Sequence, residues 1–256
     1  MKELLLNKKV LIAGAGGLLG SHLVVKLIEQ GASVIAADID IDKTKALLVD
    51  LGIDSNFTSI AFEKLDITSE EAVRSFFRND IKIDGAVNCT YPRNKSYGSH
   101  FFDVTLDSFN DNLALHLGSA FIFSQQCAAY YLKNKASFSL VNISSIYGVV
   151  APNFNIYENT AMTMPVEYSA IKSALLHLNK YIVKYVNESD FRINSVSPGG
   201  IFDHQPEAFL KAYKKETHGK GMLNVQSILG AIVFLLSDHS EYTVGQNIIV
   251  DDGFSL

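Results

Sequence analysis

Short apolar runs alternate along the chain with longer stretches in which apolar positions recur every three or four residues, a pattern that predicts strands interleaved with helices. Lys8 to Ala13 reads as a first buried strand, and Gly17 to Gln30 as a helix with Leu19, Leu23 and Leu27 on one face, ended by Gly31. Ser33 to Ala37 is a second strand, Asp42 to Leu51 a helix ending at Gly52, and Ser59 to Leu65 a third strand. Thr68, with Glu71 three positions on, makes a capping box for a helix through Phe77.

Asp84 to Asn88 follows as a fourth strand, then a polar loop through His100 and a long apolar helix from about Thr105 to Leu132. Phe138 to Ile143 is the fifth strand. A loop containing Pro152, Asn153, Asn155 and Asn159 leads to Pro165, placed in the first turn of a helix that runs to about Val186. Arg192 to Val196 is a sixth strand, Pro206 and Asn224 open two further helices, and Asn247 to Val250 is a seventh strand. Buried strands joined by helices imply parallel pairing, because parallel strands need crossover connections. The expectation is one α/β domain over residues 1–256, a doubly wound, seven-stranded parallel sheet with helices on both faces.

Composition agrees with this and narrows the partners. The 256 residues are 48% hydrophobic and 19% charged, enough for a sizeable core. A net charge of −5, with the basic residues scattered, leaves no footprint for nucleic acid or an anionic membrane and points to a small-molecule partner. Two cysteines, Cys89 at a strand end and Cys127 in a helix, do not make a disulfide framework and suit a reducing compartment. The opening MKELLLNKKVLIAG has too short an apolar stretch for a secretion signal, and no run near membrane-spanning length follows, so an unprocessed, soluble, cytoplasmic chain is expected.

Candidate chemistry begins at Gly14-Ala15-Gly16-Gly17-Leu18-Leu19-Gly20, between the first strand and the first helix. Glycines allow the sharp turn and let a pyrophosphate approach the N–H groups at the helix start. Asp38, eighteen residues after Gly20, closes strand two where a carboxylate accepts from the adenosine ribose hydroxyls of NAD. NADP stays open through Lys43 and Lys45 nearby. Asp66, in Leu65-Asp66-Ile67, could accept from an adenine amino group or simply start a helix.

Three Tyr/Lys pairs lie one helical turn apart: Tyr91/Lys95, Tyr131/Lys135 and Tyr168/Lys172. Only Tyr168/Lys172 opens a helix after strand five and follows a serine pair, Ser144-Ser145, at a strand's C-terminal edge; the other two read as solvated pairs. A tyrosine acting as a base near neutrality needs its proton affinity lowered by about three pH units, roughly 4 kcal/mol, which one cation at about 4 Å supplies in an effective dielectric of 20. Lys172 is the candidate cation, and Ser145 the hydroxyl that holds the substrate oxygen.

These motifs, with Asn142-Ile143-Ser144-Ser145, Arg192-Ile193-Asn194, Ser197-Pro198-Gly199-Gly200 and Val250-Asp251-Asp252-Gly253, resemble the short-chain dehydrogenase/reductase family over essentially the whole chain. The resemblance implies hydride transfer to or from a nicotinamide, with Ser145, Tyr168 and Lys172 catalytic. It implies cofactor contacts from Gly14, Gly17, Leu18, Leu19, Gly20, Asp38, Asp66, Ile67, Asn88, Tyr168, Lys172, Pro198, Gly199, Gly200 and Ile201. It also implies a homo-oligomer, dimer or tetramer, built through the long helices.

Four departures carry information. The turn is spaced G-x-x-G-x-x-G, as in the family's nucleotide-sugar epimerases and dehydratases, whereas the length fits the short branch. Asn88-Cys89-Thr90-Tyr91 stands where the family has Asn-Asn-Ala-Gly. His116 replaces the long helix's usual asparagine and could relay a proton or be structural, and Asn112, on the same face, could hold the relay water. Ser145 and Tyr168 stand 23 positions apart, roughly double the usual gap, and the added Pro152 to Met164 lies beside the expected site. With Tyr91-Pro92-Arg93-Asn94-Lys95, this stretch is similar to oxidoreductases of bacterial flagellin-glycan and nonulosonate pathways, with Arg93 and Lys95 either solvated or facing a substrate anion. The altered residues also leave open a non-catalytic NAD(H)-sensing or scaffold protein.

Overall fold

The computed structural model describes residues 3–53 and 57–256, so the first two residues of the N-terminal apolar stretch lie outside the described residues. The elements run β1 Lys9–Ala13, α1 Leu18–Glu29, β2 Ser33–Asp38, α2 Ile41–Asp50, β3 Ile60–Lys64, α3 Glu70–Arg78, β4 Gly85–Asn88 and α4 Leu106–Asn112. A π turn, Leu113–Gly118, joins α4 to α5 Ser119–Asn134; then come β5 Phe138–Ile143, α6 Val166–Val186, β6 Phe191–Pro198, α7 Glu207–Lys215, α8 Gln226–Leu236 and β7 Asn247–Val250. The strands pair in parallel in the order β3-β2-β1-β4-β5-β6-β7. This is the doubly wound Rossmann arrangement, with its order reversing between β1 and β4.

Side chains of a strand alternate between faces, and both faces here are apolar. Val10, Ile12, Val34, Ala36, Val87, Val141 and Val196 pack with Leu23, Leu27, Leu48 and Ile228 of α1, α2 and α8. The alternate residues Leu11, Ala13, Ile35, Ala86, Leu140 and Ile193 pack with Phe76, Phe77, Phe123 and Ile182 of α3, α5 and α6. A third, smaller cluster lies apart from the sheet: Ile156 and Tyr157 from the added stretch meet Phe209 and Tyr213 of α7 and Phe254 near the C-terminus.

Two expectations need correction. The cap of α3 is Ser69, whose hydroxyl accepts from the Ala72 N–H at 3.2 Å. Thr68 is one residue too early, because its N–H and hydroxyl both donate to Asp66 Oδ1, at 2.9 and 2.6 Å. The long helix starts at Thr105 as expected, its hydroxyl capping the first turn, but it is not α-helical throughout: the π turn widens it midway and carries His116. Such turns concentrate at functional sites.

Candidate active site

A cavity of about 1390 Å³ opens at the C-terminal edge of the sheet, across the β1/β4 reversal. Its floor is the glycine turn. Gly14 has φ +82°, and a Cβ there would come to 3.0 Å of the Cys89 and Thr90 backbone, while a Cβ at Gly20 would run into the Gly14 carbonyl. The turn therefore lies against both the β4 loop and its own helix more closely than any side chain allows. No side chain caps α1, and Gly17, Leu18 and Leu19 line the cavity, so the helix's first N–H groups stand ready for an anion.

Asp38 ends β2 at the cavity wall, where Oδ2 accepts from the Gly16 N–H at 2.8 Å and Oδ1 from the Asp40 N–H at 3.2 Å. A Cβ at Gly16 would meet Thr44 Oγ1 at 2.5 Å and Asp38 Oδ2 at 3.1 Å. Gly16 thus brings the turn onto the carboxylate, and the spacing of Gly14, Gly17 and Gly20 gave no signal for it. Two backbone bonds leave lone pairs on Asp38 for ribose hydroxyls. Asp66 and Ile67 line the same cavity, as do Pro198, Gly199, Gly200 and Ile201 at the end of β6, on the far side of the β1/β4 reversal. The Gly200 N–H donates to the Tyr213 hydroxyl at 2.6 Å, tying that loop to α7. The turn, the uncapped helix and Asp38 together fit a dinucleotide.

Gly20, Asn88, Asn112 and His116 are site candidates that do not line the cavity. Asn88 instead shapes the β4 loop, its Oδ1 accepting from the Thr90 N–H at 3.1 Å and hydroxyl at 2.7 Å. Asn112 holds the Tyr91-to-Tyr97 loop: Oδ1 accepts from the Asn94 N–H at 3.0 Å, and Nδ2 donates to Asn94 Oδ1 and to the buried Glu167. In the motif Arg192-Ile193-Asn194 the polar pair is structural. Arg192 donates to the carbonyls of Leu235 and Ser240, and Asn194 to that of Thr243.

Ser145, Tyr168 and Lys172 do meet at the cavity. Ser145 starts a short turn, Ile146–Gly148, and a Cβ at Gly148 would come to 2.7 Å of the Lys172 backbone, so the turn rests directly on α6. The Ser144 hydroxyl donates to the Lys172 carbonyl at 3.0 Å and closes the same junction. Lys172 Nζ donates to the Ile143 carbonyl at 2.8 Å, stands 3.3 Å from His116 Nε2, and lies 5.5 Å from the centre of the Tyr168 ring.

The electrostatics of this trio overturn one expectation. Burial pushes the Tyr168 phenol above its usual value of 10.0, the nearby Ser145 hydroxyl opposing it, while burial brings the Lys172 ammonium down to about 7, with Cys89 opposing. Burial is the larger cause at Tyr168 and the Ser145 hydroxyl offsets only part of it, so the phenol holds its proton more tightly than in water.

Of the other two pairs, Lys135 lies 5.6 Å over a buried Tyr131 ring, whereas Tyr91, still part-exposed, turns to the cavity. Tyr131 is a core residue and Lys135 pairs with Glu188 at 2.7 Å. Tyr91 lines the cavity, edge-on to Tyr168 at 5.6 Å, to His116 at 5.2 Å and to Tyr97 at 5.7 Å. The Tyr91 hydroxyl donates to that of Tyr97 at 2.6 Å, and the Arg93 guanidinium lies 4.8 Å over the Tyr91 ring. Arg93 faces the cavity and Lys95 does not. Across from them the added stretch supplies Tyr157, Met162 and Met164, with the Tyr157 hydroxyl donating to that of Tyr147 at 3.3 Å. The sequence marked Tyr91 and Tyr157 only through the altered segments that hold them, and gave Tyr97 and Tyr147 no signal.

A crevice of this kind, with a phenol, a hydroxyl and an amine gathered beside a dinucleotide cradle, suits moving a proton at an oxygen whose carbon changes oxidation state; that is the work of a nucleotide-dependent oxidoreductase. The comparisons make the class specific. The family pattern described as enoyl-(acyl carrier protein) reductase matches residues 14–255. The post-translational flagellin modification protein A of Campylobacter coli is 37% identical over 255 residues, covering 98% of this chain and 99% of its own. A short-chain dehydrogenase from Leptospira borgpetersenii with bound NAD+ superposes with a TM-score of 0.85 at 29% identity, over 98% and 94% of the two chains. A gluconate 5-dehydrogenase from Burkholderia cenocepacia, in complex with NADP and tartrate, shares the fold at 22% identity, with a TM-score of 0.83 over 99% and 97%. The chain belongs to the short-chain dehydrogenase/reductase family and is an oxidoreductase.

Proposed function

We propose that this oxidoreductase uses NAD to interconvert a secondary alcohol and a ketone on a sugar-derived substrate of bacterial surface-glycan biosynthesis, with Ser145, Tyr168 and Lys172 as its catalytic residues. The observation that carries the reading is the meeting of these three side chains in one cavity with the glycine turn and Asp38. The C. coli flagellin relative supports the substrate class, and the hydroxyls of Tyr91, Tyr97, Tyr147 and Tyr157 around the cavity suit a polyhydroxylated ligand. The glycine turn and Asp38 would hold the nicotinamide dinucleotide, which would supply or take up the hydride exchanged with the substrate carbon.

The chain's own groups do the rest. Ser145 donates to the substrate oxygen and orients it as charge develops there. Tyr168, a phenol in the resting site, gives its proton to that oxygen when a ketone is reduced and takes it back when an alcohol is oxidised. The Lys172 ammonium stabilises the phenolate formed on proton donation. Tyr91, packed against the Tyr168 ring, limits water around the phenol.

Self-association through the long helices belongs to the same reading, supported by exposed Phe121 and Leu132 on α5 and Tyr181 and Tyr185 on α6. Among the described residues no helix is long and apolar enough to cross a membrane, and both cysteines are free, as a cytoplasmic enzyme requires. NADH formation across sugar phosphates, amino sugars and sugar acids, compared with NADPH formation on the same panel, tests substrate and cofactor. Tyr168→Phe should lower turnover by about 10²–10⁴-fold while retaining NADH binding. Unchanged turnover would remove Tyr168 from the mechanism.

A further inference from the structure

The imidazole of His116 is 3% exposed and is presented by the π turn that interrupts the long helix. Its Nε2 stands 3.3 Å from Lys172 Nζ, and its Nδ1 meets no hydrogen-bond partner. An ammonium has only protons to offer, so a charged Lys172 requires Nε2 to be the acceptor, and the ring's own proton must then sit on Nδ1. The Ile143 carbonyl takes a second ammonium proton at 2.8 Å. Two acceptors on different elements, the π turn and the end of β5, thus pin one amine beneath the rings of Tyr91 and Tyr168, 5.9 and 5.5 Å from their centres.

We propose that His116 is a positioning residue, a permanently neutral acceptor that fixes the Lys172 ammonium, and not a carrier of protons. The proposal rests on the reading of Tyr168 and Lys172 as the reacting pair. Burial first, then the positive charges of Lys172 and Arg93, bring the imidazole well down, to about 2, in keeping with a ring that stays neutral beside the amine. The titratable groups that face this pair are Cys89, Tyr91 and Arg93 from the β4 loop and Tyr168 from α6, while Glu167 of α6 acts on Tyr91 and bonds Asn112. A bond accepted from the charged form favours that form, so His116 raises the proton affinity of Lys172 against the burial that lowers it.

Long-range nitrogen–carbon NMR of the histidine rings in the full chain, assigned with His116→Asn, reads the tautomer without any substrate. The expected result is a proton on Nδ1 of His116 and no titration near the ordinary value of about 6.5. A proton on Nε2 at a pH where Lys172 is charged, or titration near that value, overturns the proposal. NMR of the Lys172 side chain reads the other partner. His116→Leu, which has no acceptor, should lower its proton affinity by about tenfold or more, and His116→Asn, which offers an amide oxygen, should restore much of it. On any substrate turned over, the alkaline limb of the kcat profile should shift to lower pH in His116→Leu, with KM little changed. Lys172 titration that is the same in all three proteins also overturns the proposal. Failure of Tyr168→Phe to lose turnover would instead strike the underlying reading, while leaving the tautomer result standing.

Discussion

At the residue scale, the site places its charged and polar groups in conflict with their surroundings. Lys172 is brought from 10.5 down to about 7, so between those values the unfolded chain binds a proton that the folded one does not, and stability rises with pH across that window. Below about 7 the folded protein carries a buried ammonium at full cost. Lys172→Met should therefore raise the unfolding midpoint at about pH 6 by about 4 °C or more, and flatten its rise above neutrality, while abolishing turnover. Scanning calorimetry across pH checks the sign. Asp38 makes the complementary test of cofactor choice. Asp38→Ala removes the carboxylate that would repel a 2′-phosphate and leaves Lys43 at the same cavity wall, so kcat/KM for NADP over NAD should rise by about tenfold or more.

Among the secondary elements, those that rest on local rules were legible in the sequence, and those set by contacts across the fold were not. The apolar strand runs, Gly31 and Gly52 after their helices, and the Phe138–Ile143 strand all stand where the pattern placed them. The cap of α3 did not, because Thr68, Ser69 and Asp66 compete for the same turn, and the Asp66 carboxylate takes both Thr68 donors. Ser69→Ala should consequently cost about 1 kcal/mol in chemical denaturation and Thr68→Ala clearly less. The π turn was illegible for another reason: Leu113 to Gly118 keeps an apolar helical rhythm, and only contact between His116 and Lys172, 56 positions apart, gives the widened turn its purpose. The meeting of Ser145, Tyr168 and Lys172 was legible through their place after strand five, which singled out one of three equally spaced Tyr/Lys pairs. Tyr91 and Gly16 were not, since one acts through ring packing and the other through the close approach of Asp38.

For the whole molecule, the two apolar faces of the sheet and its parallel pairing followed from the strand runs and crossover rules, whereas the assembly rests on the family resemblance alone. The long helices leave Tyr181 and Tyr185 62% and 76% exposed, their rings stacked 6.1 Å apart. A second copy of the chain is the occupant expected there, so light scattering should give a dimer or larger particle, and Tyr181→Glu with Tyr185→Glu should yield a smaller one with its helical signal intact.

The small cluster joining Ile156 and Tyr157 to Phe209, Tyr213 and Phe254 sits on neither face of the sheet. It is tied to the site, the Tyr157 hydroxyl donating to that of Tyr147 and the Gly200 N–H to that of Tyr213, so substitutions in the added stretch act on the cavity before they reach either face of the sheet. Because Tyr147 lies in the short turn that Ser145 opens and packs edge-on against Phe254, a change in this segment is felt beside Ser145 through one shared ring.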